Sequence, residues 1–175
     1  VSGVLTVDLY EIARRLKSHP QAGRAEDLLR LELLLRLPTT DPDDVLEEAK
    51  EFFDTQQVGE LVELGRWLNA QNLHAKTTLL ISQERALERR DLYLIRIDAM
   101  AMMNQWEEIG VYLDLPNVPV ESYIRNLFKM RVYLEADQVR YANLEWDKVL
   151  LAVSRDTQKL WYVVDYSLRL NLIIY

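Results

Sequence analysis

Cysteine is missing from this chain altogether, and its 175 residues include only five glycines and five prolines. Without thiols there is neither a disulfide framework nor a thiolate metal site. So few turn formers argue against a fold of many short strands and for a chain of helices. Long apolar runs are lacking too. The longest apolar stretch, near the C-terminus, is broken by Asp165 and Arg169 and falls short of the ~18–20 residues that a bilayer span needs. No signal-peptide pattern is present at the start. Basic residues are in deficit: 21 Lys and Arg against 28 Asp and Glu leave a net charge of −7. A surface of that sign repels phosphate backbones, so nucleic acid is not an expected partner.

The residues of common reaction centres are equally scarce. His19 and His74 are the two histidines, and neither has a second His or a Glu at metal-ligand spacing, so no metal and no cofactor is expected. Asp41, Asp43 and Asp44 lack the glycine and terminal glutamate of a calcium loop and read instead as a helix cap. No phosphate-cradling glycine loop or nucleophile motif occurs. Glu107 and Glu108 are adjacent, hence ~100° apart on a helix, which suits a solvated face better than paired acid–base work. No catalytic residue is expected, and the chain reads as a non-enzyme. Its 49% hydrophobic and 28% charged residues are ordinary for a soluble globular chain with one sizeable core; the residues do not name a compartment, and a cytoplasmic one is the favoured expectation.

What is present is helical periodicity. Leu5, Leu9, Ile12, Ala13 and Leu16 recur at helix spacing and give way to SHPQAG, where Pro20 and Gly23 end the helix. A second helix from about 24 to 37 carries Leu28, Leu31 and Leu35 on one face, widened by Leu29, Leu33 and Leu34. A third, roughly 42–54, starts with Asp41 as N-cap and Pro42 at the first helical position, and buries Val45, Leu46, Ala49, Phe52 and Phe53. This third helix has no evident partner. Residues 1–57 thus form a helical hairpin plus one extra helix.

From residue 58 the pattern becomes regular. Leu61, Leu64, Gly65 and Leu68 line one helix, Asn72 marks a turn, and Leu73, Thr77, Leu80 and Ile81 continue in a second. In 91–103, Leu92, Ile95, Ala99 and Met102 make one apolar stripe and Leu94, Ile97 and Ala101 another, so this helix has neighbours on two sides. Trp106, Ile109 and Leu113 follow after a polar break. The polar breaks Asn72, Asn104, Asp137 and Asn171 are spaced 32, 33 and 34 residues apart. A near-constant period of that size with two helices per unit is the signature of a helical solenoid. The units run about 58–89, 90–121, 122–155 and a truncated 156–175, the last turning Leu160, Val163, Val164 and Leu168 inward.

At these residues the chain resembles the tetratricopeptide repeat (TPR) family. Leu64-Gly65 is similar to the leucine and small residue of that motif's first helix, and Asn104-Gln105-Trp106-Glu107-Glu108 to its Gly-Asp-Tyr-Glu-Glu turn. Ala142, Trp146 and Val149 fall where the second helix keeps small, aromatic and small residues. Ile97, Met130 and Val164 depart from the small residue expected, and the loop from Pro116 to Pro119 lacks the usual Asp-Pro. The resemblance implies an all-α, right-handed α-solenoid of antiparallel helix pairs. The chain starts without Met and ends within an apolar pattern at Ile173, Ile174 and Tyr175, so we read it as one continuous domain cut from a longer protein.

Such solenoids bind along the inner surface made by the first helices. Aligned units place Arg66, Asp98, Arg131 and Asp165 at equivalent positions there, with Asn69, Trp161 and Tyr162 on the same side. Two readings stand side by side. In one, these residues line a groove that takes a peptide or partner segment, with Arg for carboxylates and Trp161 as anchor. In the other, the alternating charges pair across neighbouring units, each exposed pair contributing roughly 0–1 kcal/mol. The expected function is a non-catalytic protein-interaction scaffold, without nucleic-acid or membrane contact. The alternative is a structural spacer or oligomerisation element, including a dimer through the uncapped C-terminal helix.

Overall fold

The computed structural model describes residues 2–169, with side chains from 9 to 168. Within them the chain is all-helical, with no strand. The helices are α1 (Ser2–Lys17), α2 (Arg24–Leu35), α3 (Pro42–Lys50), α4 (Val58–Ala70), α5 (His74–Leu80) and α6 (Gln83–Leu87). They continue with α7 (Arg90–Met102), α8 (Trp106–Leu113), α9 (Ser122–Glu135), α10 (Val139–Val153) and α11 (Thr157–Arg169). Most principal contacts join helices adjacent in the chain; α4 and α5 in addition reach forward to α7.

The local chemistry explains several of the helix ends. Glu26 accepts a hydrogen bond from the Gly23 amide at 2.9 Å, tying down the start of α2. Asp41 accepts from the Asp43 amide at 2.8 Å, and Pro42 opens α3. The turns between paired helices share one geometry. Asn72, Asn104 and Asp137 have φ of 60°, 57° and 56°, the left-handed region that Asn and Asp tolerate better than most residues. In each case the next amide reaches back five residues to a carbonyl of the preceding helix: Leu73 to Leu68 at 2.9 Å, Gln105 to Met100 at 3.0 Å, Gln138 to Tyr133 at 2.8 Å. That bond closes a Schellman motif and satisfies a carbonyl the helix end would leave open. Asn171 lies outside the described residues.

Two apolar clusters share α4. Leu64 and Leu68 join Leu31, Val45, Leu46, Ala49 and Phe53 in an N-terminal cluster. Leu61 and Val62 belong to the larger one, which runs through α7, α8 and α9 to Val163 of α11. The third helix therefore has partners: α3 packs on α2, and its buried face also meets α4. Arg30 of α2, only 3% exposed, clasps Glu48 of α3 through two hydrogen bonds of 2.6 and 3.2 Å. Gly65 has the close-approach role expected of it, since a Cβ there would sit 2.7 Å from Ile81 Cδ1 and 3.1 Å from Ile95 Cγ2.

Three expectations need correction. The second helix of the first unit is not continuous: Ile81 is extended, Ser82 caps a new start by accepting from the Arg85 amide, and α6 follows α5. Met102, placed on an inward stripe of α7, is 64% exposed because the helix ends there, whereas Leu92, Ile95, Ile97 and Ala99 are buried. On α11 the inward face is Tyr162, Val163, Tyr166 and Ser167, not Leu160, Val164 and Leu168. The reason lies on α9, where Tyr123 and Phe128 offer ring edges to Tyr162 and Tyr166 at 6.1 and 5.4 Å between centroids. Ring packing of this kind rotates the helix toward its aromatic side.

Candidate functional site

Arg66 and Asn69 project from α4 one turn apart. Asp98 lies on α7, and Tyr162 on α11. These four line one cavity of about 340 Å³, together with Arg90, Asp91, Leu94 and Ile95 of α7. The four α7 residues absent from the sequence-based set share a face with Asp98, at i, i+1, i+4, i+5 and i+8. That helical stripe was the signal by which they could have been found.

The polar groups of the cavity differ in how far they are already used. Asn69 donates from Nδ2 to the Ile95 carbonyl at 2.9 Å, and its Oδ1 lies 3.4 Å from His74 Nδ1. Its amide therefore ties α4 to α7. Burial lowers the pKa of His74, favouring the neutral ring in that packing position. Arg90 pairs with Glu121 at 3.2 Å, and Asp91 with Arg89 at 3.0 Å. Tyr162 is held between Tyr123 and Tyr166, and burial pushes its hydroxyl above the ordinary tyrosine range. Asp98 has an interaction of its own. Arg66 is exposed and makes no hydrogen bond or ion pair among the described residues.

The remaining residues of the set do not line this cavity. Arg131 pairs with Glu135, and its guanidinium stands 5.4 Å from the centre of the Trp106 ring. Trp161 is 68% exposed on the side of α11 away from Tyr162's packing, and Asp165 is exposed and does not line the cavity. Four of the seven positions thus share one pocket built on α4, α7 and α11, and the other three do not line it.

Chemically the pocket offers the unspent guanidinium of Arg66 beside two carboxylates already engaged, Asp91 and Asp98, the Tyr162 phenol, and Leu94 and Ile95. Among the described residues no group of three or more His, Asp or Glu is placed to hold a metal ion, and no helix is long and apolar enough to cross a membrane. No family model, curated protein or solved structure matches this chain.

Proposed function

We propose that this chain is a TPR-like, right-handed α-solenoid acting as a non-catalytic interaction scaffold, and that its pocket on α4, α7 and α11 receives an acidic side chain of a partner segment. The repeated Schellman turns at Asn72, Asn104 and Asp137 support a repeating architecture. The observation that carries the binding reading is Arg66. Asp98, Arg131 and Asp165 each have an interaction of their own, whereas Arg66 is exposed and makes no ion pair among the described residues. A free guanidinium beside a partly apolar floor is a receptor for carboxylate, which it can meet with two parallel hydrogen bonds.

Selection of binders from a displayed random peptide library tests this. Enriched peptides should be rich in Asp or Glu, and Arg66→Ala should weaken them roughly 10-fold, as expected for a charged hydrogen bond of about 1.5 kcal/mol. Its melting temperature should not move, since the removed group has no internal partner. Peptides that bind Arg66→Ala as tightly as the parent would refute the proposal.

A second reading, the oligomerisation element, has its own observation. Leu160, Trp161, Val164 and Leu168 of α11 are 41%, 68%, 38% and 72% exposed and lie at helix spacing on one face. Light scattering over a dilution series would reveal self-association, and Trp161→Asp would abolish it.

A further inference from the structure

A second cavity, of about 620 Å³, opens between α8 and α9 and shares no residue with the Arg66 pocket. We propose that it is a binding site for a small aromatic amine, its ring seated over Gly110 and its ammonium group received by Glu107.

Two helical stripes wall this cavity. Glu107, Gly110, Val111 and Asp114 come from α8, and Lys129, Val132, Tyr133 and Ala136 from α9 and its C-cap, both at i, i+3, i+4 and i+7. Two contacts fix how the stripes face each other. Lys129 donates to Asp114, and Val132 Cγ1 is the atom that a Cβ on Gly110 would meet, at 3.3 Å. The helices are therefore antiparallel, and the same register sets Glu107 opposite Ala136. The groove is closed at one end by an ion pair, bare of a side chain on its α8 wall at the middle, and ends on a carboxylate that faces a methyl group.

Charge decides the sign of the ligand. Glu107 is exposed, within reach of the groove, and makes no hydrogen bond or ion pair among the described residues. The other two acids of the lining are spent: Asp114 on Lys129 and on Arg125 at 3.6 Å, and Glu135 on Arg131. Lys129 is the only cation among the described lining residues, and it stands at the far end. The helix dipole favours a carboxylate in the first turn of α8, where Glu107 and Glu108 both lie, yet Glu107 alone of the two lines this cavity. An ammonium group there repeats, at the open end, the pairing that Lys129 makes with Asp114 at the closed one. The walls fix the rest of the ligand. Trp106, Val111 and Tyr133 are apolar sides, and Val111 is 69% exposed, where a ring would cover it. Gly110 gives up about 1 kcal/mol of helix preference against alanine, and the missing side chain is what lets a flat ring settle against Val132. Glu107 stands three residues from Gly110, ~4.5 Å along the helix, the reach of a two-carbon arm between ring and ammonium. The volume falls in the range of small-molecule pockets.

The probes are 2-phenylethylamine and its uncharged counterpart 2-phenylethanol, titrated at neutral pH into the full chain carrying ¹³C-labelled methyl groups and followed by NMR. The amine should shift the Val111 and Val132 methyls with a millimolar dissociation constant, as suits so small a ligand. The alcohol should bind about 10-fold more weakly, the worth of one charged hydrogen bond. Glu107→Gln should bring the amine down to the affinity of the alcohol while leaving the alcohol as in the parent and the melting temperature close to it, because the charge removed has no internal partner. Val111→Lys, at an exposed position, sets an internal ammonium four residues after Glu107, the favourable order for such a pair, and should weaken the amine at least about 10-fold without destabilising the fold. The proposal is overturned if amine and alcohol bind alike, if either variant binds the amine as the parent does, or if neither methyl shifts at the solubility limit of the amine.

Discussion

The packing of α4 against its neighbours can be tested at Gly65. An added Cβ would meet Ile81 Cδ1 at 2.7 Å and Ile95 Cγ2 at 3.1 Å. Ile81 is 0% exposed and Ile95 6%, so neither has open space to swing into. Two effects of Gly65→Ala oppose one another. Alanine is favoured over glycine within a helix by about 1 kcal/mol. Overpacking a filled core costs about 1–3 kcal/mol. Because the shorter contact lies far inside normal van der Waals distance, the second effect should win, and we expect Gly65→Ala to lose about 1 kcal/mol. Ile81→Val deletes the clashing Cδ1 and on its own should cost about 1 kcal/mol. In that background only the 3.1 Å contact remains, and the helix preference of alanine should make Gly65→Ala neutral or stabilising. The double-mutant cycle should thus show a favourable coupling of about 1 kcal/mol, beyond the ~0.3–0.5 kcal/mol scatter of independent sites. Urea unfolding of the four proteins, followed by helical circular dichroism, measures each value. Strictly additive costs, or a parent stabilised by Gly65→Ala, would refute the close-packing argument.

Other outcomes follow from the same structure. Alanine at Asn72, Asn104 or Asp137 should cost about 1 kcal/mol each, and glycine should be neutral or better, because all three hold left-handed φ; equal costs for alanine and glycine in denaturant melts would contradict this. Burial pushes the Glu48 carboxyl upward, but the hydrogen bonds and charge of Arg30, with Lys17, outweigh it and hold the group below the ordinary 4.5. A carboxyl depressed by folding stabilises above its unfolded pKa, and that stability is lost as the pH falls through the folded value. Glu48→Gln should therefore cost about 2 kcal/mol at neutral pH, since it leaves a buried Arg30 with only the more distant Asp27, at 3.9 Å, as counter-charge. The gap from the parent should close only in melts well below the ordinary carboxylate range, as the pH falls through the depressed folded value of Glu48; a gap independent of pH would exclude the ion pair as its source. Arg66→Ala, by contrast, should leave stability within about 0.5 kcal/mol of the parent, since the side chain is exposed and has no internal partner.

The helix turns were legible because they are local events. A single Asn or Asp at the end of an apolar helical stripe, followed by a restart of the period, was enough to place the breaks at 72, 104 and 137, and φ at each is positive. Gly65 and Ala142 were legible for a similar reason: a small residue within an apolar stripe marks close approach, and Ala142 is 1% exposed. Arg66, Asn69, Asp98 and Tyr162, which unit-to-unit alignment puts on one side, do line one cavity. Trp161 and Asp165 do not line that cavity, and neither does Arg131 of α9; alignment assumes that every unit turns its helices alike. The aromatic contacts of α11 with Tyr123 and Phe128 break that assumption.

Sequence alone determined that this protein is helical, where most helices begin and end, and which stripes are apolar, since capping, left-handed turns and side-chain period all act within a few residues. Tertiary structure alone decided that α3 rests on α2 and α4, that the chain breaks at Ile81, that Asn69 bonds across to Ile95 while Arg66 has no partner among the described residues, and that the Tyr112 hydroxyl is buried without a hydrogen-bond partner. Those outcomes depend on which side chains from distant segments arrive at the same place, and no local pattern encodes that meeting.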